Sequence, residues 1–198
     1  MKSSIALAIM IALAPTDGMA MVDLESATSI TAPTEKVPAE LQRLRELYFA
    51  AVQSPHSLAL AEREVQTMRA ADLAAPNMDV LLTAYSGALR TLRAKHGSWP
   101  PARLRDLQEG LRTLDGLVDR HPDVAEVRYL RLMSCYYLPA LLGRTGSVRE
   151  DFQALGRLLP AARHSFSREL YSAAAEFVLE NGELQPNDRA RLERSLAR

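Results

Sequence analysis

The chain has 198 residues, and its 24 Lys and Arg balance 24 Asp and Glu, so the formal net charge is zero. Such a balance provides no long-range field to steer the chain toward nucleic acid or an anionic membrane. Cys135 is the only cysteine, which excludes a disulfide within the chain and leaves stability to packing.

The first residues, MKSSIALAIMIALAPTDGMA, read as a secretory leader. Lys2 supplies the positive start, Ile5 to Ala14 the apolar run, and Gly18-Met19-Ala20 the small-residue exit. The run is shorter than the about 20 apolar residues that span a bilayer. The expectation is a signal peptide over residues 1–20, cleaved after Ala20, and a periplasmic or secreted protein. The alternative is an uncleaved segment, the one route by which a membrane would enter. Residues 21–37, MVDLESATSITAPTEKV, carry Ser, Thr and Pro without a sustained apolar period and read as a flexible tether. Residues 38–198 are expected to form one helical domain.

From Pro38 onward the apolar rhythm is helical. Leu41, Leu44, Tyr48 and Val52 make the first stripe. Ser54-Pro55 then offers an N-cap followed by proline at the first helical position. Leu58, Ala61, Val65 and Met68 carry the second helix, which LAAPN ends. Asn77 is placed to cap a third helix with Met78, Leu81, Leu82, Tyr85, Leu89 and Leu92 at three- and four-residue spacing. GSWPP turns the chain into a fourth, with Leu104, Leu107, Leu111, Leu114 and Val118. Gly87 and Gly110 interrupt these two helices, each at about 1 kcal/mol against alanine. Folding about the GSWP turn sets them opposite one another, so their backbones are expected to approach closely.

Pro122 separates the fourth helix from a fifth, AEVRYLRLMSCYYL, which is apolar on nearly every side and therefore expected to be central. Pro139 follows it, with no amide to continue the helix. GRTGS breaks the chain, and Ser147 and Glu150 have capping-box spacing ahead of Phe152, Leu155 and Leu159. Pro160 ends or kinks that helix. Leu170, Ala174, Phe177 and Val178 form a seventh, closed by Asn181-Gly182. A short polar eighth starts near Pro186. Period-two alternation is nowhere sustained, so the fold class is all-α, about seven or eight helices in antiparallel pairs without a sheet.

Arg128 and Arg131 lie three apart on the fifth helix and share a side. Arginine keeps its proton, so burial demands acceptors. Folding about His121-Pro122 puts Asp115 opposite Arg128, a pairing that suits a bidentate bond. The same fold-over sets Arg131 against Arg112. Its acceptor is then Glu109, or else a carboxylate, phosphate or peptide C-terminus brought by a ligand.

Signatures of catalysis are sparse. His56, His96, His121 and His164 are scattered without metal-ligand spacing. No G-x-S-x-G is present, and Cys135 reads as core. No cofactor or metal is expected. GRTGS resembles an anion-cradling turn but lacks the P-loop spacing.

The run LQEGLRTLDGLVDRHPDVAEVRYLRLMSCYY resembles the junction between two tetratricopeptide units, with the likeness covering residues 104–138. AEVRYLRL, LPALLG and SVREDF are similar to segments of small exported bacterial proteins of unassigned function. The tetratricopeptide resemblance implies a stack of helix pairs with a groove lined by the third and fifth helices. It implies Tyr85, Arg128, Arg131, Tyr136 and Tyr137 as groove residues, with Trp99 at the rim, and a protein or peptide partner, an acidic segment being one such ligand. The functional expectation is an exported binding or adaptor module. An enzyme, a hydrolase or transferase with an arginine-lined cleft, is the alternative, as is a structural subunit that oligomerises.

Overall fold

The structure, a computed structural model, describes residues 38–71 and 77–197. The expected leader over residues 1–20 and tether over 21–37 lie outside the described residues. Among the described residues eight α-helices follow one another: α1 (Ala39–Ala51), α2 (Pro55–Ala70), α3 (Met78–His96), α4 (Pro100–Arg120), α5 (Ala125–Tyr136), α6 (Thr145–Ala162), α7 (Arg168–Asn181) and α8 (Pro186–Leu196). Short 3-10 turns at Ala140–Leu142 and Arg163–Ser165 flank α6. No strand occurs among the described residues, and the fold is all-α.

Local chemistry sets the boundaries. Ser54 accepts a hydrogen bond from the Ser57 amide at 3.2 Å and Pro55 opens α2. Pro100 opens α4 and Pro186 opens α8 in the same way. Asn77 takes the N-cap position of α3 in the left-handed region, φ 59°, where asparagine is tolerated, but its side chain makes no capping bond. The expected capping box at Ser147 is displaced. The helix starts earlier, at Thr145, just after Gly143 turns the chain at φ 69°, and Glu150 reaches Arg128 and Arg131 instead of the backbone. Pro160 lies inside α6 rather than at its end; the carbonyl its ring faces one turn earlier belongs to Gly156.

Consecutive helices joined by short connections pack side by side, α1 on α2, α3 on α4, and α5 on α6, while α3 also meets α2 and α5, and α6 also meets α7 and α8. Leu44, Leu82, Leu89, Leu114 and Leu130 belong to one buried cluster built by α1 to α5. Leu132, Phe152, Leu155, Leu159 and Val178 belong to a second, built by α5 to α8. Helix α5 is the shared wall.

The α3–α4 pair packs backbone to backbone. A Cβ built on Gly110 would lie 2.6 Å from the Gly87 carbonyl oxygen and 2.8 Å from Thr91 Cγ2; one built on Gly87 would lie 3.1 Å from the Gly110 carbonyl. Gly116, on the same helix, would meet only the mobile end of Arg120, at 3.3 Å. Gly110→Ala should therefore destabilise by about 1–3 kcal/mol through overpacking. Gly116→Ala should stabilise by up to about 1 kcal/mol through helix propensity. Urea denaturation of the two variants checks this, and equal shifts of the same sign would contradict it.

Candidate functional site

Three sectors of α5 explain how a helix without a solvated face carries charge. At 100° per residue, Val127 and Leu130 point to one side, and they join the first core. Ala125, Tyr129 and Leu132 point to another and join the second. Between them runs a third stripe, Arg128, Arg131 and Cys135, which faces α4 and α6. All three are buried.

That stripe is met by carboxylates of the protein itself. Arg131 donates from Nε to Asp151 Oδ2 at 2.8 Å and from Nη2 to Asp151 Oδ1 at 2.7 Å, a bidentate fork. It also reaches Glu150 at 3.2 Å and Asp115 at 3.4 Å. Arg128 donates from Nη1 to Glu150 at 2.9 Å and Asp151 at 3.1 Å, and from Nε to the Pro122 carbonyl at 2.6 Å. Arg144 completes the set by donating to Asp115 at 2.5 Å. Three guanidinium groups thus meet three carboxylates, and the cluster is neutral.

The expected pairing of Arg128 with Asp115 is corrected: Asp115 serves Arg131 and Arg144. The reason is the turn. Residues 121–124 all lie between α4 and α5, so the fold-over is centred later than His121-Pro122 and carries Asp115 toward Arg131. Glu109, the other suggested acceptor of Arg131, pairs with Arg90 instead.

Electrostatics follow from the pairing. Burial would lower the Arg131 pKa, but the Asp151 hydrogen bonds and charge raise it on balance. The Arg128 hydrogen bond and the charge of both arginines hold the Glu150 carboxyl below its usual range. A carboxyl depressed in the folded state adds stability above its unfolded pKa of about 4.3, lost as pH falls through the folded value. The melting temperature should therefore fall between about pH 5 and pH 3, and less steeply in Glu150→Gln. Parallel curves for the two proteins would exclude Glu150 as a contributor. Burial pushes the Cys135 thiol up, which favours the unreactive thiol form.

A second ionic site joins α1 to α5. Arg45, 1% exposed, donates to both oxygens of Glu126 at 2.8 and 2.6 Å and to the Ser165 carbonyl at 2.8 Å. Its guanidinium lies 5.2 Å from the Phe166 ring centroid, in cation–π range. Tyr85 donates its hydroxyl to Glu126 at 2.6 Å. Burial, reinforced by the Glu126 charge, pushes the Tyr85 phenol well above its usual range and keeps it a donor. Tyr85 is thus a core residue on α3 and does not line an open groove.

The remaining sequence candidates lie toward one end of the helices. Tyr136 is half-buried, bonded to Asn181 at 2.9 Å and packed edge-on against Phe177 and Phe152. Tyr137 is 59% exposed and Trp99, in the α3–α4 turn, 68%. Pro139 follows the end of α5 and leads into the 3-10 turn; the Cys135 carbonyl is met by the Leu138 amide at 3.0 Å. The structure therefore separates the proposed groove set into a buried ionic cluster, the buried Tyr85, the half-buried Tyr136 and the exposed Tyr137 and Trp99. A shallow open trough of about 390 Å³ lies elsewhere, between α2 and α3, with Glu62, Arg63 and Arg93 among its walls. Among the described residues no group of His, Cys, Asp and Glu is arranged to hold a metal ion.

Compared with known proteins, the chain matches no family model, no curated protein and no solved structure.

Sequence reasoning passed over several residues that matter here. Arg45 lies one turn after Leu41 and so on the apolar stripe of α1, and Asp151 lies one turn before Leu155 on that of α6. A charge on a buried stripe was the available signal. Leu141 and Leu142, 86% and 38% exposed, gave none.

Proposed function

We propose that the chain is an exported binding module that works by recognition rather than catalysis, and that its working surface is the end of the bundle formed by the α1–α2, α3–α4 and α5–α6 connections. One observation carries this reading: among the described residues, the large apolar side chains left exposed, Phe49, Trp99, Leu104, Tyr137, Leu141 and Leu142, all belong to those connections or the helical turns beside them. Contacts between the helices near these ends support their common position. His96 Nε2 is 2.7 Å from the Ala51 carbonyl, and the Thr91 and Ser134 hydroxyls are 3.3 Å apart, which puts the ends of α1, α3 and α5 together. Apolar surface gathered in this way marks an interaction site.

This moves the recognition surface away from the groove implied for the third and fifth helices. Arg128 and Arg131 are committed to Asp151, and Tyr85 to Glu126, so a partner would have to break buried ion pairs to reach them. Export rests on the leader-like residues 1–20.

The test is a photo-crosslinking amino acid placed at Leu141 or, as a control at the opposite end, at Asp79. The expected result is a specific adduct, to protein or lipid, from position 141 in cell-envelope material and none from 79. Adducts from 79 alone would overturn the reading.

A further inference from the structure

We propose that this end of the bundle docks on an anionic lipid surface, with Trp99, Leu141 and Leu142 entering the interface and a set of uncompensated cations meeting lipid phosphates. The inference rests on the working surface just described and names what covers it.

Overall neutrality hides the relevant asymmetry. No Asp or Glu occurs from residue 80 to 105 or from 127 to 149, the two stretches that lead into and out of the α3–α4 and α5–α6 connections. Five of the nine cations in these stretches, Arg90, Arg93, Arg128, Arg131 and Arg144, are met by six carboxylates from elsewhere, Arg90 by both Asp106 and Glu109, which leaves a net excess of three positive charges. The other four, Lys95, Arg103, Arg105 and Arg149, are exposed. Lys95 donates to the Val52 carbonyl and Arg103 to the Ala94 carbonyl, bonds that fix the side chains without cancelling their charge. Glu180, Glu183 and Asp188 belong to α7, α8 and their connection, and the exposed Glu46 to α1, so the positive side is that of α3 to α6.

Shape distinguishes a lipid from a protein partner. Protein hot spots are aromatic anchors seated in pockets. Here the apolar groups are tips. Leu141 stands on a 3-10 turn between Pro139 and Gly143, and nothing lies within 4 Å of the point where a Gly143 side chain would be. Trp99 stands on a separate turn ahead of the two prolines that open α4. Protruding Leu and Trp beside Lys and Arg match the layered chemistry of an interface, hydrocarbon below, aromatic rings at the headgroups and cations at the phosphates. Among the described residues no helix is long and apolar enough to cross a membrane.

Trp99 is the only tryptophan, which makes the chain its own probe. The full chain is mixed with phosphatidylglycerol or phosphatidylcholine vesicles, with and without brominated acyl chains, while Trp99 emission is followed. The expected result is a blue shift and bromine quenching on the anionic vesicles only, reduced in high salt. Attachment through residues 1–20 alone would leave Trp99 emission unchanged and would overturn the proposal. Arg105→Gln should weaken binding about five-fold. Leu141→Asp should weaken it about ten-fold or more; both positions are exposed, so the variants should fold, and circular dichroism checks this. Equal binding by wild type and both variants, or equal emission changes on phosphatidylcholine, would also overturn it. A protein adduct at position 141 without any Trp99 response to vesicles would leave the working surface standing and refute the lipid.

Discussion

Glu126→Ala is expected to destabilise the fold by about 3–5 kcal/mol, more than loss of a buried side chain of that size would suggest. The carboxylate is the acceptor for two Arg45 donors and for the Tyr85 hydroxyl, all within 2.6 to 2.8 Å. Its removal strands a guanidinium that is 1% exposed and leaves a buried phenol without its acceptor. Arg45 Nη1 already has no hydrogen-bond partner among the described residues, so the group has little with which to compensate. The triple variant Arg45→Met, Tyr85→Phe, Glu126→Leu should recover most of the loss, because it removes the phenol hydroxyl along with the pair, and a buried pair gains little over well-packed apolar groups while half of one is costly. Urea midpoints at constant slope measure both. A Glu126→Ala loss below about 1 kcal/mol, the range of a surface pair, would mean that Arg45 finds water in the native protein.

The same site shows what was readable in advance. The helical rhythm located the eight helices of the described residues, because apolar spacing and the prolines and glycines between segments are local properties. Gly87 and Gly110 could be set opposite one another because a short turn leaves the register of two helices little freedom. That α5 is central followed from its lack of a polar face. Which acceptors its arginines meet did not follow, because that depends on how α6 lies across α5, and GRTGS with the 3-10 turn before it fixes that crossing by geometry no spacing rule contains. Asp151, next to Glu150 in sequence, looks like one half of a solvated acidic pair until α6 is docked. Exposure at the loop end was illegible for a related reason. Trp99 and Leu141 are 42 residues apart, and only the bundle brings their connections to one end.

Asp151 and Glu150 give the sharpest contrast, since adjacent carboxylates contact the same two arginines from opposite sides of the solvent boundary. Asp151→Ala should cost about 3–5 kcal/mol, whereas Glu150→Ala should cost at most about 1 kcal/mol. Asp151 is 0% exposed and holds Arg131 in a fork as well as Arg128, so without it the two buried cations are left with the partly solvated Glu150 and a longer contact from Arg131 to Asp115 at 3.4 Å. The Glu150 side chain is 56% exposed, and water can replace what it offers. Asp151→Asn should fall between the two, because the amide keeps one acceptor and the shape but brings an NH2 group toward the guanidinium ions. If the arginine stripe instead served a ligand, the order would invert: removing Asp151 would free cations for an anion, and adding phosphate would restore stability to Asp151→Ala. Thermal melts of the three variants with and without inorganic phosphate separate these cases, and phosphate is expected to rescue none of them.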